Sequence, residues 1–304
     1  VSERGTTDIL EPFAKELERL GEPFEWIRDK SLEEKLGSTY FTAGIYTPGG
    51  RLMNPAALTH GLADTLPGNV SIFENSPVIS FHNHNGIELG TEKGNVRAPK
   101  MIMAANGFSD QFGFYKNQFM HLAAYGSLTR PLTKDEQSKF GFRRSWGMTP
   151  ANAFAGITMR YTNDNRILIR QGLGYCPSRR ISKVTLRRIK IKHQECFNVR
   201  FPILSDVTIE HTWSGFVTLS RNAAPGFGLL SGNIWSAVCQ NAVGVTKGTI
   251  SGMLAADMAS GQDNELINDI LSLGKPVSMP PRPFLDLGVR ARFAWELLSN
   301  RHEA

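Results

Sequence analysis

The spacing of apolar residues predicts several amphipathic helices. Apolar residues recur at helical intervals from Asp8 to Leu20, and Asp8 with Glu11 has the spacing of a capping box. In "NPAALTHGLADTL", Asn54 stands at the cap position and Pro55 at the first helical position. Further helices are predicted after a Thr133–Glu136 capping box and over residues 182–200, 245–260 and 288–299.

Runs of β-branched and aromatic residues between turn residues predict the strands. Residues 166–170 and 154–160 flank the polar turn "YTNDN", which indicates a hairpin. The segment "KMIMAANG" is continuously apolar, as is typical of a strand buried on both faces of a parallel sheet. Other strands are predicted over residues 40–50, 70–73, 78–82, 86–91, 101–104, 123–129, 209–219, 228–230 and 234–239. The pattern therefore predicts an α/β plus α+β chain.

Composition narrows the class of protein. The chain has 304 residues, of which 41% are hydrophobic and 20% charged, and no apolar run is long enough to span a membrane. The three cysteines show no paired spacing and the seven histidines no metal-binding spacing, so we expect reduced thiols, a cytoplasmic location and no metal site. The chain opens on polar residues and without methionine, so we expect a fragment or processed product without a signal peptide.

The net charge of +6 raises the question of an anionic partner. Much of the excess lies in one segment, at Arg179, Arg180, Lys183, Arg187, Arg188, Lys190 and Lys192. Because no aromatic residues alternate with these charges, nucleic acid is not the expected partner. The segment is more typical of a solvated helix face, with Leu186, Ile189 and His193 as its buried stripe, and an anionic substrate or cofactor is the remaining alternative.

The stretch "QNAVGVTKGTISG" carries the candidate chemistry. It follows a predicted strand and begins a helix with glycines at Gly244, Gly248 and Gly252, although glycine disfavours a helix interior by about 1 kcal/mol relative to alanine. A helix N-terminus presents free N–H groups and suits an anion or an electron-rich oxygen. The alternative is that all three glycines only allow close packing of the helix, and this stretch alone leaves both open.

Six segments in this order resemble a known family. They are "GGRLMNPAALTHGLADTL", "SPVISF", "MIMAANGFSD", "TWSGFVTLSRNAAPGFG", "QNAVGVTKGTISG" and "PRPFLDLG". Together they resemble FAD-dependent oxidoreductases of the D-amino-acid-oxidase-like superfamily, and most of all its branch of γ-glutamylputrescine oxidoreductase, sarcosine oxidase and glycine oxidase. The resemblance implies a partial FAD-binding domain of the glutathione-reductase type, interleaved with a substrate domain built on an antiparallel sheet.

The resemblance also implies which residues meet the cofactor. Val78 would lie beside the adenine side of FAD, the turn at Ala105, Asn106 and Gly107 against the cofactor, and Gly215 near the isoalloxazine ring. The pyrimidine edge of the flavin would meet the helix start, at Gly244, Val245, Thr246 and Lys247. Because Ser214 and Gly215 stand where some relatives carry a flavin-linked cysteine, we expect FAD to be bound non-covalently.

One departure from the family concerns the nucleotide-binding turn. Members begin with a strand, a G-x-G-x-x-G turn and a helix, and this sequence has no such segment: neither "GLGYCP" nor "GFGLLSG" both follows a strand and opens a helix with the required glycines. The chain therefore resembles the family from the point where that first part has ended.

The implied reaction is hydride transfer from a carbon beside nitrogen to flavin N5, which requires no fixed acid–base pair, so no catalytic residue is assigned. The candidates for contact with the amine or amino-acid substrate are Tyr46, Tyr125, Gln171 and Arg221. For Arg221 a carboxylate clamp competes with a plain surface arginine, and for the two tyrosines a packing role is the alternative.

These expectations divide the chain into two interleaved parts. The substrate domain is predicted over residues 1–49 and 123–210, and the rest of the FAD-binding domain over residues 50–122 and 211–304. The rival hypothesis is a non-catalytic remnant that binds a small molecule or a partner chain, and a third is a relative that uses the same cofactor to oxidise a 2-hydroxy acid or glycerol phosphate. Such a remnant would expose the apolar surface against which the missing part packs, so a homo-oligomer is also predicted.

Overall fold

The computed structural model describes residues 10–84, 86–141, 143–152 and 154–299. These residues divide into two compact units. The first comprises the chain up to Leu52, Leu122–Phe216 and the part from Asp286 on, and the second comprises Met53–His121 and Val217–Leu285. The chain from Asp286 on thus groups with the first unit, whereas the predicted division placed it with the second. Which unit binds substrate and which binds FAD stays a prediction.

Helices and strands are numbered in chain order. The helices are α1 Glu11–Leu20, α2 Asp29–Leu36, α3 Pro55–Asp64, α4 Lys134–Lys139, α5 Lys183–Arg200, α6 Gly244–Ser260, α7 Glu265–Ser272 and α8 Phe284–Ser299. The strands are β1 Glu25–Arg28, β2 Ala43–Tyr46, β3 Val78–Asn83, β4 Ile87–Thr91, β5 Gly94–Ala98, β6 Met101–Met103, β7 Phe119–Thr129, β8 Trp146–Met148, β9 Thr158–Tyr161, β10 Ile167–Tyr175, β11 Ile209–Ser220, β12 Gly226–Ser231 and β13 Ile234–Val238.

The first unit is built on a five-stranded sheet with the order β11-β7-β10-β9-β8. The pairs β7–β10, β10–β9 and β9–β8 are antiparallel, and β9 with β10 forms the hairpin that the sequence predicted. Alternate residues of β10, Ile167 and Ile169, join Phe197 of α5 in one buried apolar cluster. Helix α5 therefore covers one face of this sheet, and the other residues of each strand point to the opposite face.

A buried polar chain fastens α5 to the sheet. His193 of α5 is fully buried, and its Nδ1 lies 2.8 Å from the Ser127 hydroxyl while its Nε2 lies 3.1 Å from the Gln171 carbonyl oxygen. Since a carbonyl oxygen only accepts, Nε2 donates and Nδ1 accepts from Ser127, which fixes one neutral tautomer. Burial lowers the pKa of His193, and the backbone bond to Gln171 and the charge of Lys192 act less strongly.

The second unit contains two three-stranded sheets. In one, with the order β12-β13-β6, the pair β12–β13 is antiparallel and β13–β6 is parallel. In the other, β3, β4 and β5 form an antiparallel meander. Leu254 and Ala255 of α6 are buried with Phe227 of β12, so α6 packs on the first of these sheets through the middle of the helix.

Helix caps were predicted well. Asn54 Oδ1 accepts from the backbone N–H groups of Ala56 and Ala57, and Thr133 with Glu136 forms the complete capping box. Glu136 also binds Arg130 at 2.6 Å, and this contact is the main cause that lowers the pKa of Glu136 to about 2. Asp8, the other predicted cap, lies outside the described residues.

Several strand predictions were wrong or too long. Residues 70–73 form no strand: Phe73 is 74% exposed, because this stretch has apolar side chains without a partner strand. The strand predicted over 40–50 is confined to Ala43–Tyr46, and the parallel strand β6 leaves Ile102 39% exposed rather than buried on both faces. The pattern also missed β1, α2, β5, β8 and α7. Across the described ranges, no helix combines the length and apolar character needed to cross a membrane.

Candidate functional site

Two parallel strands bring the candidate loops of the second unit together. β6 and β13 are in register from Met101↔Ile234 to Met103↔Ser236, so their carboxyl ends lie at the same edge of the sheet. The turn at Asn106 follows β6, and α6 follows β13. The Asn106 side-chain oxygen accepts a bond of 3.1 Å from the backbone N–H of Cys239, which joins the two loops directly. Open α/β sheets bind ligands at such carboxyl-end edges.

The turn between β13 and α6 has a strained backbone. Cys239, Asn241 and Ala242 have φ angles of 57°, 49° and 67°, in the left-handed region that non-glycine residues rarely adopt. Each such residue costs about 1–3 kcal/mol unless its surroundings hold it, and such residues cluster at functional sites.

Asn241 supplies the bonds that hold this turn. Its side-chain oxygen accepts from the Ser220 N–H at 2.9 Å, and its amide group donates to the carbonyl oxygens of Ala223 at 3.0 Å and Cys239 at 3.1 Å. The sequence analysis missed Asn241. The available signal was an asparagine directly between a strand and a helix, because asparagine tolerates left-handed backbone.

Helix α6 begins with free backbone donors. Its cap residue, Val243, makes no side-chain cap bond, the first turn has no acidic residue, and the first backbone bond back to the cap is Lys247 N to Val243 O at 3.3 Å. Gly244, Val245 and Thr246 therefore present their N–H groups to the surroundings, and these three residues are exposed, as is Lys247. The partial positive charge of the helix end adds to this donor set.

The glycines of α6 are not packing positions among the described residues. A Cβ added at Gly244 or Gly252 would meet no atom within 4 Å, and one at Gly248 would meet only Gln240 Cγ at 3.9 Å. The side of the helix that carries them is open. The interpretation in which the glycines serve close helix packing within this chain thus finds no contact to support it.

The turn after β6 is tightly built. Gly107 is buried, and a Cβ there would collide with Thr218 Oγ1 and lie 2.9 Å from His121 Cε1. Asn106 adopts a φ of 46°, while Ala105 is half-buried. Gly107 is therefore required by packing against Thr218 and His121, which belong to the same unit, whereas Asn106 is exposed and its side chain bonds to Cys239.

The other two cofactor candidates belong to other sheets. Val78 is the half-buried first residue of β3, opposite Thr91 of β4, in the other sheet of the second unit. Gly215 belongs to the first unit, in β11, where it is exposed and a Cβ would meet nothing within 4 Å. Their contact with a cofactor stays a prediction.

Two of the four substrate candidates face α5. Gln171 is 1% exposed, and its amide oxygen accepts from the Cys196 thiol of α5 at 2.9 Å. Tyr125 is 8% exposed and packs with Cys176, while burial raises its pKa. Because both side chains lie on the covered face of the sheet, their positions favour a structural role, and substrate contact stays a prediction.

The remaining two candidates are exposed. The Tyr46 ring lies at the end of β2 with Lys35 Nζ 5.1 Å from its centroid, and it lines a cleft of the first unit. Arg221 follows β11 in the second unit and is exposed. Within the second unit the structure thus brings the Asn106 turn and the start of α6 together, and Arg221 directly follows Ser220, whose N–H donates to Asn241. Tyr46, Tyr125 and Gln171 belong to the first unit.

Two arginines that the sequence analysis missed lie on the face of the sheet opposite α5. Arg160 pairs with Leu168, and Arg170 pairs with Thr158, so both arginines point to the same side of the β9–β10 hairpin. Burial lowers the pKa of both guanidinium groups, and the charge of Arg160 lowers that of Arg170 further. The alternation in "TMRY" and "ILIRQ" was the available signal, since charged residues at alternate positions lie on the face of the strand opposite its apolar residues.

The Cys239 thiol is not activated. The described cysteines form no disulfide, and burial raises the pKa of Cys239 to about 11, so its thiol stays protonated at neutral pH. No group of three or more His, Cys, Asp or Glu side chains is placed to hold a metal ion within residues 10–299 apart from the undescribed positions 85, 142 and 153.

Comparison with known proteins identifies a family that the chain matches. A family model described as "DAO: FAD dependent oxidoreductase" matches residues 2–258. The chain is 26% identical over 275 residues to the "Probable oxidoreductase OrdL" of Haemophilus influenzae, covering 88% of this chain and 61% of that protein. It is 25% identical over 258 residues to the γ-glutamylputrescine oxidoreductase of Escherichia coli, covering 83% and 58%. The chain therefore spans about three fifths of the length of these curated relatives.

A solved structure supports the fold. The glycine oxidase of Geobacillus kaustophilus superposes with a TM-score of 0.72 at 16% identity, covering 92% of this chain and 74% of that one. At this identity the likeness concerns the mixed α/β fold and its antiparallel sheet.

Proposed function

Because the chain belongs to the DAO family of FAD-dependent oxidoreductases, we propose that it forms part of an enzyme that oxidises a C–N bond of an amine or amino acid. FAD, bound without a covalent link, would supply the hydride acceptor at flavin N5. The names of two similar proteins, a glycine oxidase and a γ-glutamylputrescine oxidoreductase, refer to nitrogen compounds with an oxidisable carbon beside nitrogen. The identity of the substrate for this chain is left open at that class.

The observation that carries the proposal is the open start of α6. Its uncapped N–H groups and the bare backbone at Gly244 leave room for a flat ring with an electron-rich edge. No described side chain fills the space in which a Cβ of Gly244 would stand. The residues present therefore fit a flavin, and Gly244, Val245, Thr246 and Lys247 would hold its pyrimidine edge.

The chain's own residues would act in three ways. The N–H groups at the start of α6 would stabilise negative charge on the ligand oxygen that they face, as an oxyanion hole does. Asn241 would keep these N–H groups oriented, because its hydrogen bonds hold the strained turn before α6. Asn106 would hold the turn after β6 next to it, through the bond to the Cys239 N–H. The protonated thiol of Cys239 supports non-covalent binding, because a thiol with a pKa of about 11 is a poor nucleophile.

We also propose a cytoplasmic location, which the three free cysteines support.

A titration of FAD into the purified protein, with intact mass measured on the same sample, tests the proposal. We expect flavin absorption that stays with the protein and weaker binding in Gly244→Leu, since a side chain would occupy the proposed ring position. Gly61→Leu is the matched control: it places the same side chain on an exposed glycine of α3, where a Cβ also meets nothing within 4 Å, and it should leave FAD binding unchanged.

Two results would decide against the proposal. If the protein at the mass of these 304 residues is colourless once excess FAD has been added and the unbound FAD removed, the remnant hypothesis leads. If FAD binds but anaerobic addition of glycine or putrescine leaves the flavin oxidised while lactate bleaches it, the substrate class is a hydroxy acid and not an amine.

A further inference from the structure

A cleft of the first unit has an unusual surplus of cations. It encloses about 1000 Å³ between α2, the end of β2 and the strands β8 and β9. Its walls include five cationic side chains, from Lys35, Arg51, Arg143, Arg144 and Arg160, against a single carboxylate, from Glu34. Such a concentration of one sign of charge in a recess with low-dielectric walls attracts anions.

Arg160 is the cation that is hardest to explain without a ligand. Burial lowers the pKa of its guanidinium, and no ion pair or hydrogen bond compensates this desolvation within the part of the chain that the structure describes. Its side-chain stem lies over Gly147 and near Leu52, since a Cβ at Gly147 would lie 3.6 Å from Arg160 Cγ and 3.9 Å from Leu52 Cδ1. A partly buried charge without a counter-ion is costly, which favours a role in binding.

A second cation increases the local field. Arg170 is the diagonal neighbour of Arg160 across the β9–β10 pair and lies on the same face of the sheet. The charge of Arg160 lowers the pKa of Arg170, so the two guanidinium groups repel each other. A bound anion near this pair would relieve the repulsion.

Trp146 and Arg143 also line the cleft, but their side chains pack on the other face of the sheet. Trp146 is paired with Tyr161 and stacks on Phe201, and the Arg143 guanidinium lies 5.5 Å from the Phe140 ring centroid, all within the cluster that α5 covers. Arg160 is paired with Gly147 and points away from that cluster. The case for an anion therefore depends on the cation-rich walls and on Arg160.

We infer that this cleft binds an organic carboxylate, with Arg160 as its main partner. Guanidinium groups match the planar geometry of a carboxylate. Apolar wall residues such as Ile45 and Leu52 suit a ligand whose carboxylate is attached to a hydrocarbon body, which an inorganic anion lacks. The site stands independently of FAD, because every residue in it belongs to the first unit.

Isothermal titration of the whole chain with hexanoate, hexanamide and inorganic phosphate tests the inference. We expect hexanoate to bind, and hexanamide to bind at least tenfold more weakly because it lacks the charge. Hexanoate affinity should fall as salt is raised and should fall at least tenfold in Arg160→Gln. The matched control, Arg187→Gln on the exposed face of α5, removes the same charge outside the cleft and should bind hexanoate as the unaltered chain does.

The opposite results are equally clear. Equal binding of hexanoate and hexanamide, or hexanoate affinity that Arg160→Gln leaves unchanged, would overturn the site. Phosphate that binds as tightly as hexanoate would overturn the assignment to a carboxylate. Arg160→Lys guards against a folding artefact: it keeps the charge and loses the planar fork, so it should bind hexanoate with an affinity between those of the unaltered chain and Arg160→Gln.

Discussion

Replacing Gly248 by alanine tests the openness of α6 by the sign of the stability change. Gly248 lies in the second turn of the helix, and an added Cβ would meet only Gln240 Cγ at 3.9 Å, an ordinary contact distance. Alanine is more favourable than glycine in a helix interior by about 1 kcal/mol. We therefore expect Gly248→Ala to raise the free energy of unfolding by about 0.5–1 kcal/mol.

The competing interpretation predicts the opposite sign. If the glycine let the helix pack closely within this chain, an added methyl group would overpack the contact and destabilise the fold by about 1–3 kcal/mol. The difference between the two expectations exceeds the usual error of a denaturation experiment, so one variant decides between them.

The measurement is urea unfolding of the 304-residue chain, followed by circular dichroism at a fixed protein concentration. Ala256→Gly is the matched control, because Ala256 is exposed on the same helix and the reverse exchange should cost about 1 kcal/mol. A Gly248→Ala chain that unfolds at lower urea than the unaltered chain, with the control behaving as expected, would refute the open face of α6.

Two further predictions concern the sheet of the first unit. Gly126→Ala should destabilise the fold by about 1–3 kcal/mol and shift tryptophan emission, because the new Cβ would lie 2.8 Å from the Trp213 ring. Urea unfolding followed by tryptophan fluorescence measures both effects. Unchanged emission with unchanged stability would contradict the contact between Gly126 and Trp213. His193 has a folded-state pKa below its ordinary value of 6.5. Between the folded and the unfolded pKa, the unfolded chain therefore binds more protons than the folded chain. The contribution of His193 to the free energy of unfolding is accordingly present above about pH 6.5 and is lost as the pH falls. The loss of stability between pH 7.5 and pH 5.5 should accordingly be smaller in His193→Gln than in the unaltered chain, and equal losses would show that His193 does not cause the pH dependence.

Local signals along the chain predicted the elements whose formation depends on neighbouring residues. The caps at Asn54 and Thr133 and the β9–β10 hairpin follow from contacts within a few residues, so their sequence patterns were sufficient. The stretch 70–73 has the same strand-like composition and forms no strand, because pairing depends on a partner that composition does not reveal. The short elements β1 and α2 were missed since four to eight residues carry little periodicity.

Some residues of the candidate site could likewise be predicted from the sequence and others could not. The glycine pattern of α6 and the polar turn after β6 were predicted, since the resemblance to a flavoprotein family indicated both. The role of Asn241 in holding the turn could not be predicted, because its bonds reach Ser220 and Ala223, about twenty positions earlier. Gln171 was predicted to contact the substrate, and only the packing of α5 shows that its side chain faces that helix.

The sequence by itself determined the class of fold, the family and the presence of a glycine-bearing helix start after a strand. These depend on residue type and order, which the chain carries directly. Tertiary structure alone decided that β6 and β13 are parallel neighbours and that Arg160 and Arg170 share a face of their sheet. It also decided that, among the described residues, the glycines of α6 face open space and no carboxylate compensates Arg160. Each of these facts depends on which distant segments pack together, and burial, charge compensation and free space exist only after that packing is complete.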